Sequence, residues 1–151
     1  MPPSFASSKP SMTAAALVDT AALVAAFGVN QKHGDRYREL FKRAAAEAWS
    51  LSTTWPCVVE ASYLLDVPQR YTMLRWVAAG GVVVFPLPQE AIEEMVHSMV
   101  RYTAVPRTEM DLADASLLWL AEDTGVLTIM TLDVRDFSRY RLADGRAFEI
   151  L

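Results

Sequence analysis

Short apolar runs alternate along the chain with longer segments that have helical periodicity. Residues 14–18 and 126–130 are almost entirely apolar, and each run is five residues long, which is typical of a strand inside a sheet. A compact apolar run at 82–85 predicts another strand, and the alternating side chains at 49–54 predict a further one. A last strand is predicted at 147–151.

Helices are predicted between these strands, where apolar residues recur three or four positions apart. Pro56 suits the first turn of a helix, and Gly125 is a typical helix stop. Asp35 is a candidate cap for the helix that carries Tyr37 and Leu40 on its apolar face. The predicted helical segments cover residues 20–27, 36–48, 56–65, 69–80, 89–102, 108–123 and 135–139.

This alternation predicts an α/β fold of three layers, in which helices cover both faces of a mainly parallel sheet. In such sheets ligands bind beyond the carboxyl ends of the strands, so the residues that follow each strand are the first candidates for a site. Residues 1–12 contain three prolines and four serines and are predicted to be a disordered tail. The predicted domain therefore covers residues 13–151.

Composition narrows the kinds of site that the chain can hold. Cys57 is the only cysteine and is expected to be a small buried apolar residue. With His33 and His97 as the only histidines, a zinc cluster of Cys and His ligands is excluded. A lone thiol is typical of a reducing compartment, and no apolar run reaches the roughly 18 residues that span a membrane. The chain is therefore expected to be cytoplasmic, without membrane association.

The net charge of −4 argues against binding nucleic acid through net charge alone. The basic residues are nevertheless unevenly distributed, since residues 32–43 contain five Lys or Arg against two acidic residues. Such runs form a solvated face or a set of phosphate contacts, and both alternatives stay open here. The other basic residues considered for phosphate contacts are Arg101, Arg107, Arg135, Arg139, Arg141 and Arg146.

Two aspartates follow predicted strands. Asp19 comes directly after the strand at 14–18, and Asp133 comes shortly after the strand at 126–130. If these strands are neighbours, the two carboxylates converge and offer the hard oxygen ligands that Mg²⁺ and Mn²⁺ prefer. Each acid also has a structural interpretation. Asp19 could cap the following helix, and Asp133 could form a turn together with Asp136.

Two further acids lie within apolar or helical segments. Glu60 has apolar immediate neighbours, so its carboxylate needs either a cation or the basic partner of a buried salt bridge. Thr108 and Asp111 form a plausible capping box, which explains Asp111 but leaves Asp114, one turn later on the same face, unexplained. Like charges so close together are unfavourable without a cation. Asp114 is therefore predicted to be the principal ligand, and Asp111 a cap or helper.

Four short motifs carry these acids in order along the chain. None of them is specific alone, but their order and spacing, together with the alternating strands, form one pattern. The motifs are residues 19–24 (DTAALV), 54–61 (TWPCVVEA), 111–117 (DLADASL) and 131–137 (TLDVRDF).

Together these motifs resemble the PIN-domain family, especially the VapC-like toxins of bacterial toxin–antitoxin pairs. The resemblance covers about residues 14–151 and implies a PIN-like fold. It also implies an Mg²⁺- or Mn²⁺-dependent endoribonuclease that leaves a 5′-phosphate and a 3′-hydroxyl. In that activity Asp19, Asp114 and Asp133 would hold the principal ion, and Glu60 would help to hold it or orient water.

The resemblance implies secondary roles and partners as well. Thr20 and Thr131 would bind phosphate oxygens or tune the carboxylates. The substrate would be RNA, more readily a single-stranded loop because A-form helices hide base edges. The partners would be a small antitoxin, whose C-terminal segment lies in the active-site groove, and a second copy in a homodimer. Trp76, Trp119 and Met95 are compatible with a dimer surface or with a simple core.

Two rival functions follow from the same residues. A PIN-like module could hold RNA or a protein partner without cutting, although such a module has no need to retain a repulsive cluster of four acids. An aspartate-based phosphatase would use the same sheet edge, but that chemistry needs a second aspartate close behind the first. Here Asp19 is followed by Thr20 and Ala21, so the second acid is missing.

Overall fold

The computed structural model describes residues 14–104 and 108–151. The predicted tail at residues 1–12 lies outside these ranges, as does residue 13, so the tail and the start of the domain stay predictions. Among the helices in these ranges, none is both long and apolar enough to cross a membrane.

Five strands form one central sheet in which every pairing is parallel. They are β1 (Ala15–Val18), β2 (Ser50–Thr54), β3 (Val83–Phe85), β4 (Thr128–Met130) and β5 (Glu149–Ile150). The order across the sheet is β3-β2-β1-β4-β5, with β1 in the centre. The first and second halves of the chain therefore meet between β1 and β4, where Leu17 lies opposite Ile129.

The helices occupy the segments that the periodicity predicted. Pro56 lies in the first turn of its helix, and Gly125 ends another with a positive φ of 73°. Glycine adopts that left-handed conformation without steric penalty. The helices are α1 (Thr20–Phe27), α2 (Gly34–Ala46), α3 (Trp55–Leu64), α4 (Val67–Ala78), α5 (Ala91–Tyr102), α6 (Leu112–Thr124) and α7 (Val134–Phe137).

Buried side chains form one core on each face of the sheet. Leu17 of β1 joins the core that contains side chains of α5 and α6. Its neighbours Ala16 and Val18 join the opposite core, with side chains of α1, α2 and α4. This alternation buries both faces of β1, as a central parallel strand requires. The predicted three-layer α/β/α fold with a mainly parallel sheet is confirmed.

Residues considered for a dimer surface contribute to these cores instead. Met95 is buried in the core of α5 and α6, and Trp119 packs against it. Trp76 stacks on Phe41 with ring centroids 5.2 Å apart. Cys57 is fully buried, as predicted, and burial raises the pKa of its thiol to about 12. These side chains therefore serve packing, and they give no support to a dimer.

The predicted cap at Asp35 is wrong. The N-cap position of α2 is His33, and Asp35 lies within the first helical turn. Backbone hydrogen bonds to the carbonyl oxygens of Gln31 and His33 already close the start of this helix. The Asp35 carboxylate instead pairs with Arg38 at 2.5 Å on the exposed surface.

The predicted capping box at Thr108 is also wrong. Helix α6 begins at Leu112, and its N-cap is Asp111, whose side chain accepts a hydrogen bond from the backbone N–H of Asp114. Thr108 lies outside the helix because it pairs with Ala104 through two backbone hydrogen bonds of 2.8 and 3.2 Å. The interpretation of Asp111 as a cap is nevertheless correct.

Candidate metal centre

The candidate site lies where β1 and β4 end. Because these strands are parallel neighbours, the residues that follow them lie at the same edge of the sheet. The backbone N–H of Asp19 donates to the carbonyl oxygen of Met130 at 3.0 Å, which extends the pairing past the strand ends. Asp133 follows β4 by three residues. The topology thus brings Asp19 and Asp133 to one edge.

A cavity of about 530 Å³ opens at this edge, and it is strongly acidic. Seven carboxylate side chains line it, whereas none of its described lining residues is Lys, Arg or His. Five of the seven were singled out from the sequence, and Glu109 and Asp136 were not. The seven are Asp19, Glu60, Glu109, Asp111, Asp114, Asp133 and Asp136.

Asp19 is held at the floor of this region by two hydrogen bonds. Its Oδ1 accepts from the backbone N–H of Thr20 at 2.8 Å, and its Oδ2 accepts from the Thr131 hydroxyl at 2.7 Å. The Thr131 oxygen also accepts from the backbone N–H of Asp133 at 2.9 Å. Thr131 therefore links the two aspartates that follow β1 and β4. Only 4 % of Asp19 is exposed, so the orientation of its carboxylate is fixed by protein atoms.

Asp114 comes from the first turn of α6 and is almost fully buried. Its backbone N–H donates to the side chain of Asp111, which fixes the start of the helix. Its carboxylate oxygen Oδ2 accepts a hydrogen bond from the hydroxyl of Tyr140 at 2.8 Å. Tyr140 was not singled out from the sequence, because it lies 26 residues away and no local pattern links it to Asp114.

The tightest group of carboxylates differs from the predicted set. Asp114, Asp133 and Asp136 each offer an oxygen, and these oxygens all lie within 4.8 Å of one another. Asp19 and Glu60 line the same cavity but stand outside this group. A signal for Asp136 was present, since it follows Asp133 by three positions on the short helix α7. The sequence analysis assigned that spacing only to a turn, and the Asp133 side chain does accept a hydrogen bond from the backbone N–H of Asp136 at 3.2 Å.

Glu60 and Thr20 complete the cavity from the side of α3 and α1. Glu60 is half-buried, and none of the salt bridges among the described residues involves it. The alternative of a buried salt bridge is therefore not supported. The Thr20 hydroxyl donates to the carbonyl oxygen of Cys57 at 3.5 Å, which ties α1 to α3 beneath the cavity.

Comparisons with known proteins place the fold. No protein-family model matches the sequence, and no curated protein matches it either. Among solved structures, the chain is similar to VapC20 of Mycobacterium tuberculosis, described as a sarcin-ricin loop cleaving toxin. The TM-score is 0.68 at 15% sequence identity, over 80% of this chain and 91% of that chain. This chain has a VapC-like PIN fold. The resemblance carried by the four motifs is thus confirmed for the fold.

Within this PIN fold, the acidic cavity has unusual electrostatics. Burial is the main cause that raises the pKa of Asp19 to about 7 and that of Asp114 to about 8. The neighbouring carboxylate of Asp111 raises both values further, while hydrogen bonds from Thr131 and Tyr140 oppose the shifts. Burial also raises the pKa of Glu60. Without a cation, the carboxyl groups of the cavity therefore resist full ionisation.

The donor set of the PIN cavity fits a hard divalent cation. Carboxylate oxygens are the ligands that Mg²⁺ and Mn²⁺ prefer, and here several converge without a basic side chain among them. Arg139 pairs with Asp136 at 3.0 Å but is not among the lining residues. A divalent ion would offset the mutual repulsion of these carboxylates, which adds to the effect of burial on their pKa values.

Proposed function

We propose that this chain is a metal-dependent endoribonuclease, which uses Mg²⁺ or Mn²⁺ to hydrolyse RNA phosphodiester bonds, and that it is the toxin of a toxin–antitoxin pair. The observation that carries the proposal is the gathering of seven carboxylates around one cavity at the ligand-binding edge of a PIN fold. A phosphodiester is anionic, so a cavity lined by negatively charged carboxylates repels it unless cations are bound.

The carboxylates divide into two sets in this proposal. Asp114 and Asp133 would hold the principal ion together with Asp19, as the motifs imply, and Asp136 would join them because of its position in the tight group. When bound, the ion would supply charge neutralisation and Lewis acidity. Thr131 would keep the Asp19 carboxylate turned toward the cavity through its 2.7 Å hydrogen bond.

Glu60 would orient the attacking water through its carboxylate, since it lines the cavity, is half-buried, and is not paired with any described basic side chain. In the reaction, water adds to phosphorus, the P–O3′ bond breaks, and the 3′ oxygen takes a proton. The products are a 5′-phosphate and a 3′-hydroxyl. Thr20, which also lines the cavity, would contact a phosphate oxygen.

The substrate class is RNA, with a single-stranded loop as the preferred target. VapC20, the similar solved structure, is described as cleaving the sarcin-ricin loop, which supports this class. Basic residues adjoin lining residues of the acidic cavity at two places in the sequence. Lys32 directly follows the lining residue Gln31, and Arg135 stands between Asp133 and Asp136. Both are exposed and would contact the RNA backbone on either side of the scissile bond.

A toxin needs an inhibitor, and we propose a small antitoxin as the protein partner, with a homodimer as the assembly. Exposed apolar side chains support a surface for protein partners. Tyr63 on α3 is 83% exposed and Val100 on α5 is 73% exposed, each at the end of an apolar stripe with i, i+4 spacing.

The protein would meet RNA in the cytoplasm, the compartment expected from its lone thiol Cys57.

The test is cleavage of single-stranded and hairpin RNA by the purified chain. We expect cleavage with millimolar Mg²⁺ or Mn²⁺, none in excess EDTA, and 5′-phosphate termini on the products. Asp19→Asn should abolish cleavage. Asp123→Asn is the matched control, because Asp123 is exposed on α6 and does not line the cavity. Undiminished cleavage in EDTA, or equal activity of Asp19→Asn, would contradict the proposal.

A further inference from the structure

One buried hydroxyl points at the candidate metal centre from outside the acidic group. The Tyr140 hydroxyl donates to Oδ2 of Asp114 at 2.8 Å, and both side chains are buried. Asp114 also offers an oxygen to the tight carboxylate group with Asp133 and Asp136. One carboxylate thus accepts a hydrogen bond from a neutral donor while it faces two other carboxylates.

The phenol ring is fixed by an aromatic cluster. Tyr102 and Phe137 each pack edge-on against the Tyr140 ring, with centroid distances of 5.1 Å. Phe137 packs in turn against Phe148 at 5.4 Å. The backbone is fixed as well, because the N–H of Arg141 donates to the Tyr102 hydroxyl at 3.0 Å. These edge-to-face contacts restrain the ring and so help to keep the hydroxyl directed at Asp114.

We propose that Tyr140 is a positioning residue of the metal centre, whose hydroxyl holds the Asp114 carboxylate in the orientation that binds the divalent ion. The inference rests on the proposed function, because it takes Asp114 as a metal ligand. Hydrogen-bond donors behind a ligand carboxylate fix its orientation, and their removal lowers metal affinity or activity by about 10–100-fold. A neutral donor suits this role, because it restrains the carboxylate without cancelling the negative charge that attracts the ion.

The chain offers a matched pair of variants for the test. Tyr140→Phe removes the hydroxyl and keeps the ring in the aromatic cluster. Tyr102→Phe removes a hydroxyl from the adjacent ring, where it bonds only to the backbone of Arg141 among the described residues. A purely structural role would lower the melting temperature in either variant and leave metal affinity unchanged.

The experiment measures Mn²⁺ binding by titration calorimetry, and RNA cleavage as a function of Mn²⁺ concentration, for the wild-type chain and both variants. We expect Tyr140→Phe to weaken Mn²⁺ binding by about 10–100-fold, with cleavage restored at saturating Mn²⁺. Tyr102→Phe should bind Mn²⁺ like the wild-type chain. Equal Mn²⁺ affinity in Tyr140→Phe and the wild-type chain would overturn the inference.

The two proposals fail in different ways in this experiment. Weaker Mn²⁺ binding in Tyr140→Phe, combined with a wild-type chain that cleaves no RNA, would support the positioning role and overturn the nuclease. Metal-dependent cleavage with an unchanged Mn²⁺ affinity in Tyr140→Phe would do the reverse. A wild-type chain that binds no Mn²⁺ would overturn both.

Discussion

The outer face of α2 and the acidic cavity show two contrasting ways in which this chain arranges its carboxylates. Three acids on α2 or at its C-cap each pair with a Lys or Arg three or four positions away, and all these side chains are exposed: Asp35, Glu39 and Glu47. In the cavity, seven carboxylates face one another, and Asp136 alone has an ion-pair partner among the described residues.

The difference separates acids whose charges are paired from acids whose charges lie close to one another, mostly without a basic partner. Pairing on a helix surface follows from local spacing and stabilises each pair slightly. Gathering carboxylates around one partly buried cavity is unfavourable for folding by itself, because burial and like charge both oppose ionisation. The raised pKa values of Asp19 and Asp114 express that conflict. A bound cation would remove this conflict, which is why the functional hypothesis rests on the cavity and not on the helix surface.

The largest contrast is expected in RNA cleavage. Asp114→Asn should reduce cleavage by more than about 100-fold, because Asp114 would contact the ion itself. Residues that act on a metal only through another ligand cost up to about 100-fold when they are removed. Asp35→Asn on α2 removes the same charge and should leave the rate unchanged. The measurement is initial cleavage rate at saturating Mn²⁺. A similar loss of cleavage rate in the two variants would show that the cavity carboxylates matter no more for activity than those on α2.

A second contrast concerns stability and pH in the absence of metal. The folded pKa values of Asp19 and Asp114, about 7 and about 8, lie above the ordinary value of 3.8. The folded chain therefore binds more protons than the unfolded chain, and stability is lost as pH rises from about 4 through 8. In EDTA the melting temperature should fall over this range, and at pH 8.5 Asp114→Asn should melt above the wild-type chain.

Mn²⁺ should reverse that loss. At a hundred times its dissociation constant, a ligand raises the melting temperature of a domain this size by about 5–10 °C. Asp35→Asn should show the same pH dependence and the same Mn²⁺ effect as the wild-type chain. A melting temperature that does not change with pH in EDTA would contradict the claim that ionisation of the cavity carboxylates destabilises the metal-free fold.

Thr131 provides a smaller effect within the cavity. Its hydroxyl donates to Asp19 and accepts from the backbone of Asp133, so Thr131→Val removes both hydrogen bonds while it keeps the side-chain volume. We expect cleavage to fall by about 10–100-fold, and Thr131→Ser to recover most of it. Steady-state kinetics on one RNA hairpin would measure this. An unaltered cleavage rate in Thr131→Val would show that the Thr131 hydroxyl has no role in the site.

The smallest effect is expected on α2. Glu39→Gln breaks an exposed pair with Lys42, in which both side chains are more than 70% exposed. Such pairs contribute about 0.3–0.5 kcal/mol, so the free energy of unfolding should change by no more than that. Urea unfolding would measure it, and cleavage should be unaffected. A large loss of activity would place α2 within the functional surface.

The sequence predicted the fold well because its signals are local. Strands within short apolar or alternating runs, and helix ends at Pro56 and Gly125, follow from periodicity and turn chemistry. The order of the strands was not predictable in this way, since β1 and β4 pair across more than 100 residues. Thr108 was misassigned because a pairing with Ala104 replaced the helix start that its motif favours.

The same distinction applies to the candidate site. Asp19 and Asp133 could be placed together once the topological rule for parallel sheets was applied. The partners of these acids could not, because the contacts of Tyr140 with Asp114 and of Thr131 with Asp19 depend on tertiary packing. Asp136 was visible in the sequence, but its spacing from Asp133 also suits a turn, and the structure brings it into the tight group.

The most direct test of the account is a calorimetric titration of the metal-free chain with Mn²⁺ at pH 8. The wild-type chain and Asp35→Asn should bind Mn²⁺ with the same affinity, and Asp114→Asn should bind it at least about tenfold more weakly. Heat of binding that is absent from the wild-type chain, or that is equal in all three proteins, would contradict the claim that the cavity carboxylates form a metal centre.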